Sequence, residues 1–280
     1  MNRTTAPAIR RAATAAAAGL AIALLAACSS APQTPAEPEA PADTPTTAEL
    51  SGTLSVAAAA SLQPAFEELT ATFHDQNPGV TFENLTFDGS STIATQIIGG
   101  APVDVFASAD ENNMQKVADE GLLASDAIAF ATSSLQIAVA PGNPLGIETL
   151  ADLVKAGSDG KTPLVVICAP EVPCGAASQK LLERDSVDLT PESEEQNVTA
   201  VLTKVQEGEA DAGLIYRSDV LRSEGAVEGI EIENSIEAAG TYVIAPLSAS
   251  SSPEAAQAFA EFMLSDEARA LLDRLGFGPA

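Results

Sequence analysis

The groups in this sequence that are placed to do chemistry are hydroxyls, one carboxylate, and the backbone N–H groups that open helices. Ser61 follows the apolar run 54–59, and Asp88-Gly89-Ser90-Ser91-Thr92 follows a second apolar stretch; Pro173-Cys174-Gly175 and Asn197-Val198 each open an amphipathic one. A helix start leaves N–H groups without intrahelical partners and carries the positive end of the helix dipole. Several such starts facing one point would hold an anion with neutral donors. Taken singly, each of these residues also reads as an ordinary helix cap. Asp88 reads either as a solvated turn residue or as an acceptor that admits a protonated anion.

Catalytic chemistry lacks its parts. The one histidine, His74, sits next to Asp75 at the far end of a helical stretch, and a serine nucleophile would have no base. There is no Gly-x-Ser-x-Gly, no phosphate-binding Gly-x-x-x-x-Gly-Lys loop, no Gly-x-Gly-x-x-Gly and no His-rich metal pattern. The reading is therefore a binding protein that needs no cofactor.

Short apolar runs alternate with helical periodicity along the chain, which argues an α/β fold with mainly parallel sheets. Residues 54–59 predict a buried strand. Leu62, Phe66, Leu69 and Phe73 then recur at helical spacing, with Ser61 placed to cap and Pro64 tolerated in the first turn. Strands are expected at Val80–Phe87, 103–107, 135–140, 164–167, 212–216 and 242–245. Helices are expected at 91–98, after Asp110, and at 175–183, 198–206, 253–264 and 266–275, with Ser252 and Ser265 as caps. Ligands of open α/β sheets bind at the carboxyl ends of strands, where the polar junctions named above fall.

The chain begins with Arg3, Arg10 and Arg11, then an apolar run from 12 to 27, then Leu25-Ala26-Ala27-Cys28, which resembles a bacterial lipobox. Residues 1–27 read as a lipoprotein signal peptide and Cys28 as the lipid-bearing residue. The apolar run is shorter than the ~20 residues of a membrane span. Residues 28–50, rich in Pro, Ala, Thr and Glu, read as a disordered tether. With 13 basic and 39 acidic residues the net charge is −26, and without the three leader arginines it is near −29. Such a field excludes a nucleic-acid partner, and its plain role is solubility. The acidic run Glu183–Glu195 reads as a solvated face, without the central glycine and alternating ligands of a calcium loop.

The segments AAASL (58–62), FDGSSTIATQIIGGAPVDVFASAD (87–110), CAPEVPCG (168–175), GLIYRSD (213–219) and ARALLDRLGFGP (268–279) resemble the molybdate-binding proteins of bacterial ABC transporters. The resemblance runs from about Leu54 to Pro279. It implies a two-lobed class II periplasmic-binding fold, lobe 1 being 51–132 plus 241–280 and lobe 2 being 133–240, hinged about a cleft that closes on one tetrahedral oxyanion. Matched by position, the hydroxyl donors of one lobe fall on Ser61 and Ser90. Those of the other fall on the backbone of Cys174 and Val198 and the phenol of Tyr216; the eighteen-residue step from Val198 to Tyr216 is the family's. The implied partners are molybdate or tungstate, the membrane permease of an ABC importer and, through Cys28, the outer face of the cytoplasmic membrane; a monomer is the family's expectation. Cys168 and Cys174, six residues apart in an exported protein, are a disulfide candidate. The rivals are a sulfate or other oxyanion carrier and, from another class, an acidic adhesion or scaffold lipoprotein.

Overall fold

A computed structural model describes residues 49–157 and 160–280. The expected leader, Cys28 and all but the end of the tether lie outside the described residues. The small-residue run makes β1 (Gly52–Ala59), whose last four residues are all buried, so its neighbours can lie flush on both faces. It pairs in parallel with β2 (Val80–Asp88) and β3 (Val105–Ser108). A register shift opposite Ser55 and Val56 leaves Asn84 as an extra residue at φ 53°. That bulge moves the apolar alternation of β2 from Val80 and Phe82 to Leu85 and Phe87. Helices α1 (Gln63–Gln76), α2 (Ser90–Ile98) and α3 (Glu111–Asp119) follow these three strands in turn.

Beyond β4 (Ile128–Thr132) the chain crosses to a second sheet, built from β5 (Leu135–Val139), β6 (Val165–Cys168), β7 (Ser193–Glu195), β8 (Ala212–Tyr216) and β9 (Glu228–Glu231). Its helices are α4 (Pro173–Arg184), α5 (Val198–Gln206), α6 (Arg217–Arg222) and α7 (Ile236–Ala239). The chain then returns as β10 (Thr241–Pro246), α8 (Pro253–Phe262) and α9 (Asp266–Arg274). The described residues thus form two five-stranded sheets, ordered β2-β1-β3-β10-β4 and β7-β6-β8-β5-β9.

The sheets are mixed where mainly parallel ones were expected. β10 runs antiparallel to β3 and β4, and β5 antiparallel to β8 and β9. The reason is the crossing itself. A strand arriving from the other sheet enters at the end where β1–β3 or β6 and β8 finish, and so must run the opposite way.

Two further expectations are corrected. Ser61 does not cap α1: a 3-10 turn over Ala60–Leu62 intervenes, the N-cap position falls on Leu62, and no side chain caps there. Ser252 holds the N-cap position of α8 but spends its Oγ on the N–H of Thr53, 3.2 Å away. The acidic run is the solvated face expected, with Glu183, Asp185, Asp188, Glu192 and Glu194 exposed; at its end, in β7, half-buried Glu195 pairs with Lys204 at 2.6 Å.

The first sheet is packed on both faces. Phe66, Phe73, Phe130 and Phe259 meet edge-on beneath α1, α8 and α9. Ile93, Phe106, Met114 and Val117 fill the opposite side under α2 and α3. The second sheet has its own core, with Leu135, Ile137, Val166, Leu181, Val201 and Leu214 at its centre. Two separate cores joined by short crossings leave the carboxyl ends of both strand sets facing one another, and the site lies there.

Candidate functional site

Ser61, Ser90, Cys174, Val198 and Tyr216 line one small cavity between the two sheets, with Asp88 and Gly89 at its wall. The hollow is tight, with a cavity volume of about 10 Å³. A larger one, about 530 Å³, opens beside Glu148, Glu231, Glu233 and Glu237, but that acidic rim would repel an anion.

Four helical starts reach the small cavity. In α2 the first intrahelical bond joins Ile93 N–H to Gly89 O, so the N–H groups of Ser90 to Thr92 precede the ladder. In α4 it joins Ala176 N–H to Val172 O, and Pro173 has no N–H, which leaves Cys174 and Gly175. At α5, Asn197 Oδ1 accepts Ala200 N–H at 3.0 Å and leaves Val198 and Thr199 ahead of its cap. In the 3-10 turn the N-cap is Ala59 and the closing bond is Gln63 N–H to Ala60 O, so the N–H of Ser61 precedes the ladder. No side chain caps the turn, α2 or α4, so their donors stay available to a ligand.

The hydroxyls are arranged the same way. Ser90 Oγ accepts Ala109 N–H at 3.0 Å, which leaves its own hydrogen free to donate. Ser61 Oγ lies 3.0 Å from Tyr242 Oη. The Tyr216 hydroxyl is buried without a hydrogen-bond partner among the described residues. Burial, with Tyr242, Asp110 and Asp219 nearby, pushes that phenol well above its ordinary 10.0, so it stays a donor at every physiological pH. No Lys or Arg lines the cavity among the described residues.

Behind Tyr216 sits a charged support. Asp219, fully buried, accepts Tyr216 N–H at 3.2 Å and pairs with Arg222 at 2.8 Å. Burial raises the Asp219 carboxyl despite the pull of Arg222. Arg222 also donates to Thr199 Oγ1 at 2.9 Å, so one network holds both Tyr216 and the start of α5.

Asp88 is the half-buried last residue of β2, and its carboxylate is engaged. Its Oδ1 accepts Gly89 N–H at 2.7 Å and Asn197 Nδ2 at 2.8 Å, the latter a bond from one sheet's side to the other. Backbone comes equally close here: a Cβ on Gly89 would stand 2.2 Å from Gln196 O. The disulfide expected between Cys168 and Cys174 is present, with Cα atoms 5.6 Å apart, and ties the end of β6 to the first turn of α4. Next to it a Cβ on Gly175 would fall 1.9 Å from Ala169 O, so only glycine fits.

Sequence reasoning missed Tyr242, Asp219 and Arg222. The readable signal for Asp219 is an acid in the first turn of α6, three residues after the strand end at Tyr216. Tyr242 gave no local signal, since its partner lies 181 residues away.

The family model for bacterial extracellular solute-binding proteins matches residues 54–278. The chain is 43% identical over 222 residues, covering 79% of it and 83% of the relative, to the molybdate-binding protein ModA of Mycobacterium bovis. It is 29% identical over 181 residues to ModA of Escherichia coli, covering 62% of this chain and 69% of that one. Among solved structures, the periplasmic molybdate-binding protein of Azotobacter vinelandii superposes with TM-score 0.65 at 21% identity, over 81% of this chain and 99% of that one. The sulfate-binding protein SubI of Mycobacterium tuberculosis gives 0.68 at 18%, over 81% and 87%. At these identities the structural likenesses speak for the periplasmic-binding fold alone.

Proposed function

Because the chain belongs to the bacterial extracellular solute-binding proteins, we propose that it captures molybdate, and tungstate with it, and delivers the anion to the permease of an ABC importer. The observation that carries this is the meeting of the neutral donors of Ser61, Ser90, Cys174, Val198 and Tyr216, drawn from both sheets, on one small cavity. The 43% identity to a molybdate-binding relative supports the choice of ligand.

The physical logic is that of a dianion taken out of water. Four oxygens need many donors at once, and helix starts supply them with dipoles of the right sign. Neutral donors spare the protein the desolvation of a buried Lys or Arg. They also select by protonation: the acceptor at the wall is Asp88, whose Oδ1 is already engaged by Gly89 N–H and Asn197 Nδ2, so the proton of hydrogen phosphate meets mostly donors. The protein binds and releases its ligand without transforming it.

On this reading lobe 1 is 51–132 plus 241–280 and lobe 2 is 133–240, with the crossings at Ser133 and Gly240 as the hinge. Binding favours the closed form because only there do both lobes donate to one anion. The Leu-Ala-Ala-Cys sequence ending at Cys28 supports a lipid anchor on the outer face of the cytoplasmic membrane.

Isothermal titration of the exported full chain with molybdate, tungstate, sulfate and phosphate tests the proposal. The expected result is tight one-to-one binding of the first two and little of the others. Ser90→Ala, which removes one bond to a charged ligand worth ~1.5–3 kcal/mol, should weaken it about 10- to 100-fold. A preference for sulfate would move the chain to a rival oxyanion. No small-anion binding by a folded sample would favour the adhesion or scaffold reading.

A further inference from the structure

Tyr242 is the second residue of β10, which lies between β3 and β4 in the first sheet. It is fully buried. Its ring is fixed edge-on by Phe130 (centroids 6.3 Å apart), Phe277 (5.3 Å) and Tyr216 (5.9 Å). The last of these contacts comes from the second sheet. With the ring clamped on these sides, the position of Oη is set, and it lies 3.0 Å from Ser61 Oγ.

Resting on the anion reading above, we infer that Tyr242 is a positioning residue of the site: its hydroxyl donates to Ser61 Oγ and so directs the Ser61 hydrogen into the cavity. The argument is a count of hydrogens. Ser61 has one O–H hydrogen and an oxygen that can also accept. A fully deprotonated oxyanion accepts only, so Ser61 must give that hydrogen to the ligand. The bond between Ser61 and Tyr242 must then run from the phenol to the serine. The opposite direction would turn a lone pair of Ser61 toward the anion, and repulsion would replace a bond.

A phenol suits the task. Burial pushes the Tyr242 hydroxyl above its ordinary value of 10.0, so the donor is never titrated away at physiological pH. Its geometry is also shared between the two halves of the site, since the hydroxyl meets Ser61 from β1's side while the ring edge packs on Tyr216. One side chain thereby sets donors on both walls of the cavity. Tyr216 Oη has no hydrogen-bond partner among the described residues, so its hydrogen is available to the ligand.

The test is a double-mutant cycle by molybdate titration on the full chain: parent, Tyr242→Phe, Ser61→Ala and the pair together. Phenylalanine keeps the ring contacts, and the ligand-free melting temperature of each variant checks that the fold is kept. Tyr242→Phe should weaken molybdate binding about ten-fold, or ~1.4 kcal/mol. In the Ser61→Ala background the same change should cost almost nothing, because the group it orients is gone. A merely structural tyrosine would cost the same in both backgrounds, and that additivity, or an unchanged affinity for Tyr242→Phe, overturns the inference. If the parent itself binds no molybdate, the failure belongs to the functional reading on which the inference rests.

Discussion

Gly89→Ala isolates the approach of the two sheets from everything else in the site. Gly89 has φ −58° and ψ 134°, a conformation open to any residue, so alanine brings no backbone strain of its own. What it brings is a methyl group 2.2 Å from Gln196 O, where ordinary contact begins at 3.4 Å. The walls must separate by about 1 Å to admit it. A hydrogen bond of ~2.9 Å stretched that far is no longer one. The second sheet's side carries three of the five donors, Cys174, Val198 and Tyr216, and also the Asn197 end of the 2.8 Å bond to Asp88. Losing one or two bonds to a charged ligand costs ~2–4 kcal/mol, which predicts molybdate affinity falling about 30- to 1,000-fold. Titration calorimetry reads the affinity, and a thermal melt of the ligand-free chain should change little. If Gly89→Ala binds molybdate within three-fold of the parent, Gln196 yields freely and the closeness of the walls has no part in the grip.

Tyr216→Phe should move stability and affinity in opposite directions. Removing a buried hydroxyl without a partner raises ligand-free stability by about 1 kcal/mol or more, while the lost donor weakens molybdate about 10- to 100-fold; a parallel fall in both would assign the hydroxyl a structural role. Replacing Cys168 and Cys174 together by alanine opens a short loop, so a denaturant titration should show a loss of roughly 2 kcal/mol at most, and molybdate binding should weaken because the α4 start is no longer tied to β6. Unreduced protein in denaturant should leave both cysteines unlabelled by a thiol reagent. Asp152 is held below its ordinary 3.8 by Lys155 and Thr149, and Asp185 by Arg184. Their folded values lie below the unfolded ones, so their contribution is whole above the unfolded value and is lost as pH falls through the folded value. Asp152→Asn should therefore flatten the acid limb of melting temperature against pH below about pH 5, and superimposable limbs would refute this.

Much of the fold was legible because local signals agreed with global ones. Residues 198–206 and 212–216 lie where the sequence predicts them: Asn197 opens the first, Gly208 at φ 73° stops it, and an unbroken apolar run makes the second. β4, β7 and β9 were not legible. They are short, and β7 and β9 are edge strands with glutamates at exposed or half-buried positions, whose pairing is decided by neighbours distant in sequence. The mixed strand directions follow from the crossing between sheets, which no window of residues records. At the site, the five positions read from the resemblance converge on one cavity. What hid was the set of groups that orient them, because Ser61 meets Tyr242 and Asp88 meets Asn197 across 181 and 109 residues. Read locally, Ser61 looked like a cap.

The absence of a cationic side chain from the cavity wall, among the described residues, bears on how the cargo leaves. A buried ion pair would keep much of its attraction as the walls began to part, and would have to be peeled away against it. Dipoles and hydroxyls are short-ranged. Once the walls separate by the width of one water molecule, each half of the grip is matched by solvent and the anion departs at the rate of opening. The catch is mechanical: whatever pries the walls apart discharges the load, with no proton, competing ion or chemical step required.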